Sequence, residues 1–263
     1  MGKSVIILGA GPSGMIAAHA ASQSGYEVKI YDKDPDKSRK TSGLFYLHTS
    51  CDLLIDSTVI SQAILGAKGA SSIEIAQRYS QKVYGKDLPS ESLSITKVLE
   101  EPVVRGYNAI QAIERLWDLY GHCVEQYEVK NLFQVEKNFP DTKVISTIPA
   151  PILFPLEKFE SVQSWVRVGK APEKEAFIFY SISPNHKWDR TSALFGVFVQ
   201  EFPFSVLIES KEGYETIQLT KVIGGFQPKS TNEVVFVGRY GAWDKKILVS
   251  DVYTDVLKWL KNG

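Results

Sequence analysis

The chain begins with a block of apolar residues, Val5 to Leu8, that has the length and composition of a buried strand. A glycine-rich stretch without charge, Gly9 to Gly14, follows directly. The next run, Met15 to Ala21, consists mostly of small apolar residues, as in a helix that packs closely against its neighbours. The pattern therefore predicts a strand, a tight turn and a helix in that order.

The turn has the spacing G-x-G-x-x-G that dinucleotide-binding βαβ units place between their first strand and helix. Gly9 allows the tight turn, Gly11 lets the backbone approach a pyrophosphate, and Gly14 lets the helix pack close to the strand. The start of the helix offers free N–H groups to the phosphates. The predicted phosphate-binding residues are Gly9, Ala10, Gly11, Pro12, Ser13 and Gly14. The alternative is a glycine-rich surface turn without a ligand.

A second apolar strand, Glu27 to Tyr31, ends at Asp32, which lies where the acidic ribose ligand of such units is expected, roughly 20 residues after the glycines. A carboxylate there can accept hydrogen bonds from ribose hydroxyls. Asp32 and its neighbour Lys33 are predicted cofactor contacts.

After the second strand, the spacing of apolar residues becomes helical in two segments. Helical spacing predicts a helix from Val59 to Tyr84, interrupted by glycines, and a strongly amphipathic helix from Tyr107 to Gly121. Cys123 to Val129 and Lys143 to Thr147 are predicted strands.

From Ser161 to Leu219, short apolar runs are separated by polar or proline turns, which predicts antiparallel strands in a separate sheet. These runs are Ser164–Val168, Ala176–Ser181, Leu194–Val199 and Ser205–Glu209. A buried strand from Glu233 to Gly238 follows, and Ser250 and Asp251 cap a last helix that continues to Leu260.

Composition narrows the functional classes. The 263 residues include 30 basic and 30 acidic side chains, so net charge does not predict nucleic-acid binding. Cys51 and Cys123 match no zinc or redox spacing, and no metal site is predicted. No apolar run reaches the length of a membrane span, and the N-terminus lacks a signal-peptide pattern, so a cytoplasmic protein without a membrane partner is expected. The sequence does not determine the oligomeric state.

Four blocks together resemble the flavoproteins that include amine oxidases and UDP-galactopyranose mutases. They are the glycine turn with Asp32, the segment Tyr46–Ser50, the segment Val144–Pro149, and Phe236–Tyr240 leading into the last helix. In that group a late strand returns to the first domain and its glycine lies against the cofactor, so the resemblance favours FAD over NAD.

The resemblance implies an α/β fold with a Rossmann-like FAD-binding domain built on a parallel sheet. Residues 1–56, 121–155 and 223–263 would form this domain, 57–120 a small helical insertion, and 156–222 an antiparallel β substrate domain. Besides the turn, Asp32 and Lys33, the predicted FAD contacts are Val129, Thr147, Gly238, Arg239, Leu248 and Val249.

At two positions the sequence differs from the mutases in residues that concern the flavin and the substrate. Phe45 stands where they carry a histidine beside the flavin, and Lys245 replaces a tyrosine that binds the substrate diphosphate. A mutase also has a larger substrate domain.

Few side chains are needed where a flavin performs the chemistry. His48 and Arg239 are the candidate catalytic residues, because the first could move a proton and the second could bind an anion. Arg190, Trp243 and Lys245 are candidate contacts for a small-molecule or nucleotide-like substrate. Packing and salt bridges are the alternative roles for all five.

Three functions remain open. The first is an FAD-dependent oxidoreductase that oxidises a C–N or similar single bond of a small polar substrate, in one version a lyase acting on an amino-bearing modified nucleotide or base in a viral DNA modification pathway. The second is a non-redox flavoenzyme of the mutase type. The third is a dinucleotide-binding protein without catalysis.

Overall fold

Twelve strands and nine helices can be followed in the computed structural model, which describes residues 3–39, 46–90, 93 and 95–262. The strands are β1 (Ser4–Leu8), β2 (Glu27–Asp32), β3 (Ser57–Leu65), β4 (Val103–Tyr107), β5 (Val124–Gln126), β6 (Lys143–Ser146), β7 (Phe159–Lys170), β8 (Phe177–Ser181), β9 (Arg190–Leu194), β10 (Val197–Pro203), β11 (Glu215–Gly225) and β12 (Val234–Phe236). The helices are α1 (Pro12–Gln23), α2 (Pro35–Arg39), α3 (Ser72–Tyr84), α4 (Ile95–Glu100), α5 (Ala109–Tyr120), α6 (Leu132–Asn138), α7 (Ala150–Leu153), α8 (Gly238–Gly241) and α9 (Asp251–Asn262). Within this described part, no helix has both the length and the apolar character needed to cross a membrane.

Sheet A contains five parallel strands in the order β12-β6-β1-β2-β5. Its central strand β1 is apolar and alternates between two buried faces. Val5 and Ile7 pack against α1, α5 and α9 on one face, while Ile6 and Leu8 pack towards α6 on the other. Burial on both faces explains why β1 is a continuous apolar run.

Sheet B contains seven strands in the order β11-β7-β10-β9-β8-β3-β4. Neighbouring strands are antiparallel except for β3 and β8, which are parallel. Helices α3 and α4 cover part of one face, where Ile75 and Tyr79 of α3 share a buried cluster with Ile60 and Ile178 of the sheet. The predicted α/β fold with a Rossmann-like parallel sheet and a second, mostly antiparallel sheet is confirmed.

The predicted helix from Val59 to Tyr84 is wrong in its first part, because β3 occupies Ser57–Leu65 and α3 begins only at Ser72. Ile60 and Ile64 are four residues apart, a spacing that places two side chains on one face of a helix and also on one face of a strand. Gly66 and Gly69 both have positive φ and form the turn between the two elements.

This correction changes the predicted organisation. The three pieces assigned to the cofactor domain do supply all five strands of sheet A. However, the segment 57–120 is not a separate helical insertion, because its strands β3 and β4 complete the sheet formed by residues 156–222. Its helix α5 packs against α1 beside sheet A.

Two strand predictions in sheet B also need correction. Leu194–Val199 is not one strand, because Phe195 and Gly196 both have positive φ and form the two-residue turn of a hairpin between β9 and β10. The predicted strand Ser205–Glu209 is a turn and an irregular segment. In contrast, the predictions for β6, α5 and α9 are confirmed to within a few residues. Phe45 lies outside the described residues.

Two glycines of the turn are required by close packing. A Cβ atom at Gly14 would lie 1.7 Å from the carbonyl oxygen of Gly9, and one at Gly9 would lie 2.5 Å from Oγ1 of Thr147. The third, Gly11, has φ of −67° and ψ of 179°, which any residue can adopt, and no atom lies within 4 Å of its Cβ position. Gly11 is therefore not needed for packing.

Gly14→Ala is expected to destabilise the fold by about 2 kcal/mol or more, because its methyl group forces α1 away from the turn. Gly11→Ala is the matched control and should change the free energy of unfolding by less than about 1 kcal/mol. Urea denaturation of both variants measures the difference. Equal stability of the two variants would contradict the packing described for Gly14.

Candidate functional site

The candidate site lies at the carboxyl ends of the sheet A strands, where the chain leaves neighbouring strands in opposite directions. From β1 the chain continues to β2 on one side, while β6 and β12 lie on the other. Such a switch point leaves a crevice outside the carboxyl ends of the strands, and ligands of open α/β sheets bind there. The glycine turn that follows β1 lies at this point.

Two further strand ends converge on the turn. Thr147, directly after β6, donates a hydrogen bond from Oγ1 to the carbonyl oxygen of Leu8 at 2.9 Å. Gly238, two residues after the end of β12, has φ of +73°, and a Cβ atom there would lie 2.6 Å from Oγ of Ser13. The structure thus brings together the predicted residues Gly9–Gly14, Thr147 and Gly238, which are far apart in sequence.

The start of α1 presents backbone donors at this crevice. Gly11 is the N-cap residue, Pro12 opens the helix, and no side chain caps the first turn. The first N–H groups of a helix lack intrahelical acceptors and carry the positive end of the helix dipole. Together with the open space beside Gly11, these donors fit a pyrophosphate.

Asp32 is buried at the end of β2, with 8% of its surface exposed. Its Oδ2 accepts hydrogen bonds from the amide of Ala10 at 2.6 Å and from Oγ of Ser38 at 3.0 Å. Its Oδ1 accepts from the amide of Asp34 at 2.8 Å. The carboxylate therefore holds the glycine turn against β2. A carboxylate has about four acceptor positions, and these three donors occupy three of them. A hydrogen bond from a ribose hydroxyl to the remaining position stays a prediction.

The other predicted cofactor contacts are more dispersed. Lys33 is exposed, and its carbonyl oxygen accepts a hydrogen bond from Gln126. Val129 is a core residue with 5% exposure, so only its backbone is available to a ligand. Leu248 donates its amide to Oδ2 of Asp251 at the start of α9, and Val249 packs against the core.

His48 belongs to a segment that connects the two sheets. Leu47 pairs with Tyr107 at the end of β4, and Asp52 accepts a hydrogen bond from the hydroxyl of Tyr253 in α9 at 2.6 Å. The His48 ring lies 4.6 Å from the ring of Tyr46. His48 is exposed at the surface, yet partial burial and the nearby charge of Lys97 lower the pKa of its imidazole, against the raising effect of Asp251. His48 is therefore neutral near neutral pH, as a proton acceptor must be.

Sheet B carries a buried ion network that includes Arg190. Arg190 on β9 forms an ion pair with Glu201 on β10. Lys221 on β11 places Nζ 3.0 Å from Oε2 of Glu201 and 2.9 Å from Oδ2 of Asp189. Asp189 and Glu201 are almost completely buried. The predicted substrate contact Arg190 is thus held by the protein itself.

Charge pairing sets the ionisation of this network. Burial by itself would raise the pKa of Glu201, but the charges of Arg190 and Lys221 outweigh it and lower the pKa to about 2. Burial likewise opposes the charge of Lys221, yet Asp189 and Glu201 raise its pKa above the ordinary value. Glu201, Lys221 and Arg190 are therefore charged at neutral pH, and the network holds two acidic and two basic side chains.

Arg239 lies next to this network, on α8. Its Nε is buried and has no hydrogen-bond partner among the described residues. The neighbouring Tyr240 donates its hydroxyl to the carbonyl oxygen of Thr220 at 2.7 Å, which joins α8 to β11. Lys245 places Nζ 5.9 Å from the centre of the Tyr84 ring, at the end of α3.

The structure corrects the prediction that Trp243 contacts a substrate. The side chain is buried, with 4% exposure, and packs against Phe159 at a ring distance of 5.1 Å. Its indole N–H donates to the carbonyl oxygen of Gly224 at 2.9 Å. Both its apolar surface and its polar atom are used within the core.

Sequence reasoning missed Lys221 and Glu201. Glu201 is the one charge in the strand Val197–Pro203, and Lys221 lies well inside the strand Glu215–Gly225, whose other charge, Glu215, is at its first residue. A charge at an inward-facing strand position is rarely buried unless it is paired, and this was the available signal. The partner could not be identified, because it lies on another strand.

Comparisons with known proteins agree with this geometry. Residues 7–40 match the family model of an NAD(P)-binding Rossmann-like domain. No curated protein matches the sequence significantly.

Solved structures with a similar fold include a protein from Pyrococcus furiosus (13% identity, 98% of this chain and 97% of that chain covered, TM-score 0.56) and an oxidoreductase from Methanosarcina mazei (10% identity, 98% and 100% covered, TM-score 0.55). A tryptophan 6-halogenase from Streptomyces toxytricini is similar over 99% of this chain and 72% of its own, at 10% identity and a TM-score of 0.57. At identities this low, the similarity shows a shared fold alone.

Glu201→Gln is expected to lower the free energy of unfolding at pH 7 by about 3 to 5 kcal/mol, because two buried cations lose their shared anion. The folded-state pKa of Glu201 lies below its ordinary value of 4.5, so its contribution is complete above pH 4.5 and is lost as the pH falls towards about 2. The stability difference between wild type and variant should shrink over this range. Denaturant titrations across the acid range measure it.

Glu160→Gln is the control, because Glu160 pairs with Lys86 on the surface and its removal should change stability little. A constant difference between wild type and Glu201→Gln down to pH 2 would contradict the assignment of a lowered pKa to Glu201.

Proposed function

We propose that the chain is an FAD-dependent oxidoreductase. The observation that carries the proposal is the convergence of three strand ends on the glycine turn, in which Gly238 approaches Ser13 from the C-terminal part of the chain. The first βαβ unit would serve NAD or FAD equally well. The return of β12 and α9 to this edge favours a cofactor that extends further, towards sheet B.

The described residues fit FAD in position and chemistry. The N–H groups at the start of α1 would hold the pyrophosphate beside Gly11. Asp32 would accept a bond from the adenosine ribose, and Thr147 and Gly238 would line the path towards sheet B. When bound, FAD supplies the hydride or electron chemistry, while the protein supplies binding, orientation and electrostatics.

The chain's own residues would then orient the substrate and manage protons. His48, neutral near neutral pH, could accept a proton from a substrate between the sheet B edge and α9. The guanidinium of Arg239 adds a fixed positive charge next to the point where Gly238 approaches Ser13. Packing of α3 on sheet B excludes water from the neighbouring ion network.

The similar structures include an oxidoreductase and a tryptophan halogenase, which accords with redox chemistry on this fold. Oxidation of a C–N single bond in an amino-bearing substrate stays a prediction, as does a role in viral DNA modification. The mutase alternative is less well supported, because Lys245 stands in place of its substrate-binding tyrosine.

The test is direct binding of FAD to the purified protein and to Gly11→Ala. Wild type should bind one FAD per chain with a visible flavin absorbance band. The added methyl group occupies the open space beside the α1 donors, so the dissociation constant of FAD should rise about tenfold or more, as expected when charge-assisted hydrogen bonds are lost.

Gly224→Ala is the matched control, because its Cβ position is equally open but lies on sheet B. It should bind FAD as wild type does. A protein that binds NADH but not FAD would contradict the cofactor assignment, and equal FAD affinity of the two alanine variants would remove the glycine turn from the site.

A further inference from the structure

Two cations from different elements flank the contact between α8 and β11. The hydrogen bond from the Tyr240 hydroxyl to the Thr220 carbonyl oxygen fixes this contact at 2.7 Å. Arg239 precedes Tyr240 and Lys221 follows Thr220 in sequence. Burial raises the pKa of the Tyr84 and Tyr240 hydroxyls, and the charges of Arg239 and Lys221 both oppose this rise, so both cations lie within electrostatic range of the two hydroxyls.

Lys221 is held rigidly but keeps one donor. An ammonium group has three N–H bonds, and the carboxylates of Asp189 and Glu201 account for two of them. The side chain is 16% exposed, so it is not fully enclosed. Since the two carboxylates keep it protonated, Lys221 can donate a hydrogen bond but cannot serve as a base at working pH.

The balance of charge in this region is positive. Asp189 and Glu201 neutralise Arg190 and Lys221, so the network itself carries no net charge. Arg239 adds a positive charge, and it takes part in no ion pair within the described part of the chain. Its Nε is removed from water without a hydrogen-bond acceptor. A guanidinium N–H that is buried without an acceptor is costly unless a ligand oxygen accepts from it.

We propose that Arg239 and Lys221 together bind an acidic group, a phosphate or a carboxylate, of the substrate. The proposal rests on the proposed function for the statement that the bound group belongs to a substrate of the flavin site. Arg239 supplies the unbalanced charge and a planar set of donors, and Lys221 supplies one fixed donor. The neutral network beneath them fixes Lys221 without adding a negative charge that would repel the anion.

The experiment is isothermal titration calorimetry of the full-length, FAD-loaded protein with inorganic phosphate and, separately, with acetate at constant ionic strength. The variants are Arg239→Met and Arg239→Lys, because loss of the Arg239 side chain breaks no hydrogen bond among the described residues. Lys143→Met is the control, since Lys143 begins β6 at the end of sheet A that is opposite the glycine turn. Tighter binding of phosphate or of acetate identifies which acidic group the site prefers.

Wild type and Lys143→Met should bind the preferred anion equally, Arg239→Met should bind it at least about tenfold more weakly, and Arg239→Lys should recover part of the loss. Unchanged affinity in Arg239→Met, or no binding of either anion to wild type, would overturn the proposal. So would a variant that loses FAD but keeps its anion affinity, because Arg239 would then serve the cofactor. A protein that binds anions through Arg239 but no FAD would instead disprove the proposed function alone.

Discussion

The close approach of α1 to the turn after β1 is the constraint on which the rest of the site depends. Gly14 lies against the carbonyl oxygen of Gly9 with no space for a side chain, and Asp32 ties the amide of Ala10 to the end of β2. This packing aims the first N–H groups of α1 into the crevice at the strand ends. Gly11 alone among the three motif glycines is unopposed, so its open side is where the proposed pyrophosphate would approach the backbone.

Sheet B is joined at two places to elements that lie near the crevice. The segment carrying His48 is anchored to β4 through Leu47 and to α9 through Asp52, so its position depends on both sheets. On sheet B, the buried network of Glu201 and Lys221 joins β10 and β11 by charge, and the Tyr240 hydroxyl joins β11 to α8. Sheet B is therefore connected to α8 and, through the His48 segment, to α9.

Local features of the sequence predicted the glycine turn, β6, α5 and α9, because spacing and capping within a few residues determine them. Ile60 and Ile64 misled the prediction of β3, since a separation of four residues fits both a helix and a strand face. The approach of Gly238 to Ser13 was expected only from family resemblance, because no local pattern joins residues 225 positions apart. Lys221 and Glu201 were missed because burial of a charge depends on which strands become neighbours.

The proposed position of FAD, in the crevice between the glycine turn and sheet B, can be seen in a crystal structure of the protein grown with FAD. We expect pyrophosphate density beside Gly11 at the start of α1, and isoalloxazine density that extends past Gly238 towards Arg239 and sheet B. Density for FAD at any other surface, or a cofactor that ends at Asp32 and Gly11 without reaching Gly238, would contradict the proposed position.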